Sequence, residues 1–133
     1  MTARAFADTN IDVYAESDDG AKTARAMEII EAGPVIGVQV VNETISVLTR
    51  KHGFSRDEAY EVAGGLMDLC EVIGMDGETV RGAMQLSDRY ALSHWDSLIV
   101  AAALQSGCDT LNSEDFQNGQ LFDGRLKVVN PFI

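Results

Sequence analysis

The chain has 133 residues, 46% hydrophobic and 23% charged, with 10 basic against 21 acidic side chains and a net charge of −11. Those proportions exclude disordered, collagen-like and fibrous classes, and the length suits one domain that buries roughly two-thirds of its unfolded surface. The acidity opposes ordinary electrostatic capture of nucleic acid, unless bound divalent cations invert the local field or a small basic patch such as Arg50-Lys51-His52 assists.

RAFA (4–7) reads as a short first strand ending at Asp8. AKTARAMEIIEAG reads as a helix with Ala24, Met27 and Ile30/Glu31 on one face and Gly33-Pro34 as its stop. PVIGV (34–38) is a second strand. QVVNETISVLTRKHG places Val41, Ile45 and Leu48 at helical spacing, with basic residues in its last turn. SRDE (55–58) has the form of a capping box, after which Ala59, Val62, Ala63, Leu66 and Leu69/Cys70 keep a 3.6 period.

CEVIGM (70–75) is a third strand and DGETVRGAMQLSDRY a further helix. SHWD (93–96) again resembles a capping box, opening SLIVAAALQSG, a helix so apolar that it must be buried on most sides. DTLNS (109–113) and RLKVVN (125–130) supply a fourth and a fifth strand. Short apolar runs alternating with helix-period segments imply crossover units, hence an α/β fold with a central, mainly parallel sheet of four to five strands.

The longest apolar runs, VIGV and LIVAAAL, are too short to cross a bilayer and no leader pattern opens the chain, so a cytoplasmic protein without membrane contact is expected. Cys70 and Cys108 lack a CxxC spacing and read as buried free thiols. His52 and His94 have no partners at catalytic spacing, and Met27, Met67, Met75 and Met84 are expected to fill core gaps. No phosphate-cradling glycine motif is present.

Four carboxylates stand out by placement. In open parallel sheets, functional groups gather beyond the carboxyl ends of the strands. Asp8 lies just past the first strand and Asp115 just past the fourth, while Asp96 is in the first turn of the apolar helix leading into that fourth strand. Glu43 shares a helix face with Val40 and Val47, where a carboxylate is costly without a partner. Singly, each has an ordinary explanation: Asp8 an Asx-turn, Asp96 the acid of a Ser93 capping box, Asp115 a cap, Glu43 an exposed helix residue. Together they would form an acidic cluster that holds either protons or cations, and hard oxygen donors suit Mg²⁺ or Mn²⁺ rather than Zn²⁺.

FADTNIDVYA resembles the opening of PIN-domain proteins, VQVVNETISVLTRK their next motif, and SHWDSLIVAAALQSGCDTLNSEDFQNGQ their third and fourth; the terminal VVNPF is similar as well. By length and order of motifs the chain is most similar to VapC-type ribonuclease toxins of toxin–antitoxin pairs. That resemblance implies a three-layer α/β/α fold spanning residues 1–133 as a single nuclease domain. It also implies a Mg²⁺-dependent (or Mn²⁺-dependent) endoribonuclease acting on RNA. Asp8, Glu43, Asp96 and Asp115 match the family's acidic positions, Asp8 and Asp96 as direct metal ligands and Glu43 and Asp115 in support. Asn10, Ser93 and Ser113 would orient the carboxylates. Glu114 competes with Asp115, although the S-x-D register of Ser113-Glu114-Asp115 favours the Asp. A small antitoxin protein and a homodimer complete the implied partners.

Two other readings compete. A phosphotransfer domain of the haloacid-dehalogenase type wants a second acid two residues after Asp8, where this chain has Asn10, and a receiver domain wants a paired acid there with an acceptor such as Asp76. An acidic module binding a basic protein, with a degenerate metal site, is the non-enzymatic alternative.

Overall fold

The computed structural model describes residues 3–133. Its elements, in chain order, are β1 (Ala5–Ala7), α1 (Thr9–Ala15), α2 (Gly20–Glu31), β2 (Val35–Gly37), α3 (Val38–Lys51), α4 (Arg56–Leu69), β3 (Glu71–Ile73), α5 (Gly77–Tyr90), α6 (His94–Gln105), β4 (Thr110–Asn112), β5 (Leu121–Phe122) and β6 (Leu126–Val129). One sheet runs in the order β3-β2-β1-β4-β6-β5, every neighbouring pair parallel except β5 with β6.

The chain moves outward from β1 to β2 through α1 and α2, and to β3 through α3 and α4, then returns to β4 through α5 and α6. Parallel crossovers are right-handed, so the two directions of travel put these helix groups on opposite faces of the sheet. Hence the three layers: α1 packs on α2 and α3, α3 on α4, and α5 on α6. The direction reverses between β1 and β4, which leaves a crevice beyond their carboxyl ends.

The core sits on the strands' alternating side chains and on α6. Phe6, Ile36, Leu111 and Val128 are fully buried, and every residue of α6 from Ser97 to Leu104 is buried, as its apolar sequence demands. Cys70 and Cys108 are free and buried. At the end of α2, Gly33 takes φ +72°, and an added Cβ would lie 3.1 Å from the Leu69 carbonyl oxygen, so glycine is required both by conformation and by space. Among the described residues no helix is long and apolar enough to cross a membrane.

Several details depart from the sequence reading. The sheet has six strands rather than four to five, because β5 folds back on β6 through Asp123 and Gly124, both with positive φ, closed by a bond from the Arg125 amide to the Phe122 carbonyl. The seven-residue α1 lies in a stretch too short to show a helical period. The inner face of α2 is Ala26, Ile29 and Ile30, and Met27 points outward at 45% exposure. Met67, Met75 and Met84 are exposed too, so the methionines do not fill the core; Ala59, Ala63 and Leu66 are buried on α4 and Thr79, Ala83 and Leu86 on α5. Ser55 and Glu58 form both halves of a capping box, whereas at Ser93 only the hydroxyl-to-amide half is present.

Candidate active site

Asp8 follows β1 directly, and its amide extends the ladder by donating to the Asn112 carbonyl of β4 at 3.0 Å. The same residue caps α1, its Oδ1 accepting from the Thr9 amide at 2.7 Å. The backbone therefore fixes this carboxylate at the junction of strand, helix and neighbouring strand. Only 4% of Asp8 is exposed. Burial pushes its carboxyl up to about 7, against the Ser113 hydroxyl and the Thr9 amide that stabilise the anion, while the charges of Asp115 and Glu43 push the same way as burial.

Ser113, fully buried just after β4, donates to Asp8 Oδ2 at 2.8 Å and accepts from the Asp115 amide at 3.0 Å. Asn10 bridges the two segments: its Nδ2 donates to Ser113 Oγ and to Asp115 Oδ2, each at 3.1 Å, and its Oδ1 accepts from the Glu114 amide at 3.3 Å. Asp8, Asn10, Ser113 and Asp115 are thus one hydrogen-bonded unit joining the ends of β1 and β4.

Glu43 reaches the crevice from α3, half-buried, with Oε2 accepting from the Thr9 hydroxyl at 2.8 Å and Oε1 from Gln39 Nε2 at 2.7 Å. Those two donors offset the cost of a carboxylate beside the buried Val40. Asp96 stands in the first turn of α6, where the Ser93 hydroxyl accepts its amide at 3.2 Å. Burial raises the Asp96 carboxyl above its ordinary value, the Ser93 hydroxyl opposes this, and Asp115 and Glu43 raise it further. Ser93 therefore caps the helix that carries Asp96, while Ser113 and Asn10 bond the carboxylates themselves.

Glu114 is drawn elsewhere: it accepts from the Tyr14 hydroxyl at 2.9 Å and lies 3.9 Å from Lys22 Nζ. Asp115, one residue on, is the acid bonded to Asn10. Asp76 caps α5 through Thr79 and is exposed, which gives the receiver reading no acceptor in the crevice.

Thr9 and Gln39 are the site residues that sequence reasoning missed. Gln39 was legible, because it precedes Glu43 by four residues on a helix and so must share its face. Thr9 was not, since its bond to Glu43 spans two helices distant in sequence.

The donor set fits a divalent cation. Among the described residues no lysine or arginine comes within 4.0 Å of Asp8, Glu43, Asp96 or Asp115, so four mutually repelling acids share one crevice without a basic partner. No three of them, nor any other three His, Cys, Asp or Glu side chains among the described residues, close into a cage. Mg²⁺ tolerates that arrangement, because it keeps several waters and takes only one or two carboxylates directly.

Comparison with known proteins agrees with this architecture. The family model described as PIN domain matches residues 5–118. A toxin–antitoxin complex from Klebsiella pneumoniae superposes with a TM-score of 0.73 at 21% identity, covering 96% of this chain and 98% of that one. VapC20 of Mycobacterium tuberculosis, described as a sarcin–ricin loop cleaving toxin, gives 0.69 at 18% identity over 84% of this chain and 89% of its own. A DNA-bound VapBC from Salmonella typhimurium gives 0.71 at 14% identity, covering 96% and 98%. The search among curated proteins found no match.

Proposed function

The chain belongs to the PIN-domain family, and on that premise we propose that it is a metal-dependent endoribonuclease, the toxin of a toxin–antitoxin pair acting in the cytoplasm. The observation that carries the reading is the crevice itself: four carboxylates from β1, α3, α6 and the β4 loop, unpaired with any lysine or arginine among the described residues. A haloacid-dehalogenase reading loses its second acid to Asn10, whose amide is committed to Ser113 and Asp115.

Asp8 and Asp96 would hold Mg²⁺ or Mn²⁺, with Glu43 and Asp115 in support. The cation, when bound, supplies a lowered pKa for an attacking water and charge stabilisation on the phosphate oxygens. The rest is positioning by the chain. Ser113 and the Thr9 amide hold both oxygens of Asp8 in a fixed orientation. Asn10 keeps Asp115 facing the same crevice, and Thr9 with Gln39 prevents Glu43 from swinging to solvent. Such prefixed ligands lose little freedom when a cation and a phosphodiester arrive.

The descriptions of the similar structures support an antitoxin partner: one is a toxin–antitoxin complex, one a DNA-bound VapBC, and one a sarcin–ricin loop cleaving toxin. RNA is the proposed substrate, a small antitoxin protein the proposed inhibitor, and a homodimer the proposed assembly. The test is cleavage of RNA by the purified chain with Mg²⁺, with EDTA, and by Asp96→Ala. Cleavage that needs Mg²⁺ and fails in Asp96→Ala supports the assignment. No cleavage under any condition, alongside tight binding of a small basic protein, supports the acidic binding module instead.

A further inference from the structure

A cavity of about 460 Å³ opens beside the carboxylates, and four acids line it, Asp19, Glu43, Glu114 and Asp115. Val13 of α1 and Val47 of α3 give it an apolar wall, and Lys51 and His52 line it as well. Glu43, Val47 and Lys51 follow one another at four-residue steps, so they form a stripe along α3 about 12 Å long, acid at one end and ammonium at the other.

Lys51 is the only lysine or arginine lining this cavity among the described residues. No carboxylate among the described residues lies within 4.0 Å of it, and its neighbour Arg50 is turned aside, donating to Ser46 Oγ at 2.8 Å. In a chain of net charge −11, an uncompensated cation facing the same cavity as the acids is a local attraction for a polyanion.

We propose that Lys51 binds a phosphate of the RNA strand flanking the cleaved bond, with the intervening nucleoside against Val13 and Val47. Lys51 is then a substrate-binding residue, and its ammonium offsets the repulsion that the acidic surface exerts on RNA. The inference rests on the ribonuclease reading above and adds to it a direction for the strand, along α3 from Glu43 towards its carboxyl end.

Steady-state cleavage of an RNA oligonucleotide in Mg²⁺, over a range of salt, tests it with Lys51→Ala, Lys51→Arg and, as a charge control on β6 outside the cavity, Lys127→Glu. Lys51→Ala should raise KM roughly three- to tenfold with kcat within about twofold, and flatten the salt dependence by about one phosphate contact. Lys51→Arg should restore most of the loss, and Lys127→Glu should leave KM as in the parent. A parental KM in Lys51→Ala, or an equal rise in Lys127→Glu, overturns the subsite while the ribonuclease reading stands. A parent chain that cuts no RNA overturns both.

Discussion

The Ser113 hydroxyl donates to Asp8 Oδ2 at 2.8 Å, joining two residues 105 positions apart that the parallel pairing of β1 with β4 brings side by side. Ser113 spends its single proton on Asp8 and its lone pairs on Asn10 and the Asp115 amide. Replacing it removes the anion's buried donor and lets Asp115 lose register. Ser113→Ala should lower Mg²⁺ affinity and RNA cleavage about 10- to 100-fold, as outer-shell losses at metal sites do. Calorimetric Mg²⁺ binding and cleavage rates check this; parental values in both would show that the bond does not position Asp8.

Asp12 predicts a pH effect on stability. It is fully buried in α1 with Oδ1 unpartnered, and the one hydroxyl near Oδ2, that of Thr44 at 3.3 Å, shares its proton with the Val40 carbonyl at 2.7 Å. Burial pushes its carboxyl from 3.8 up to about 8, with Thr44 opposing and Asp8 and Glu16 adding to the rise. The folded state therefore holds a proton that the unfolded chain releases near its ordinary value. The stability this contributes is complete below about 4 and is lost as pH rises through about 8. Denaturant unfolding in EDTA should show the midpoint falling across that interval, and Asp12→Asn should flatten the fall and stabilise the chain at neutral pH by on the order of 1–3 kcal/mol.

The Thr9 hydroxyl and Gln39 hold Glu43 between them. Thr9→Val should cost stability no more than about 1 kcal/mol, since the exposed side of Glu43 can rehydrate. Cleavage should fall further than stability, because the carboxylate is then held from one side only. Thermal melting set beside cleavage rates separates the two effects; an unchanged rate would remove Glu43's orientation from the account.

Gly33→Ala should destabilise by about 1–2 kcal/mol, because alanine must adopt φ +72° and place its Cβ 3.1 Å from the Leu69 carbonyl. Chemical denaturation measures it directly. Gly53→Ala, with φ +72° but open space around it, should cost less.

The sheet's parallel core was legible because each buried strand is an apolar run cut by helix-period segments, and the four acids were legible because three of them follow or flank those runs. What escaped depended on short or long-range chemistry. Helix α1 has only seven residues and draws its start from the Asp8 cap, so periodicity could not mark it. Strand β5 has two residues, yet Asp123-Gly124, between Leu121-Phe122 and the apolar run that resumes at Leu126, is a recognisable hairpin signal. The outward methionines show that apolar character alone does not choose a helix face: on α5, Thr79, Ala83 and Leu86 are buried while Met84 faces outward. The Thr9 contact with Glu43 required the packing of α1 on α3, which no local pattern encodes.

The most direct measurement is RNA cleavage in Mg²⁺ by Asp8→Asn, a near-isosteric change whose one remaining oxygen can still accept from the Thr9 amide while its amide nitrogen takes the place of the oxygen that faced Ser113. The account predicts a folded variant, with the parent's circular dichroism and equal or higher melting temperature without metal, whose cleavage falls at least about 100-fold and is not restored by excess Mg²⁺. A folded Asp8→Asn that cuts RNA at the parental rate would contradict it.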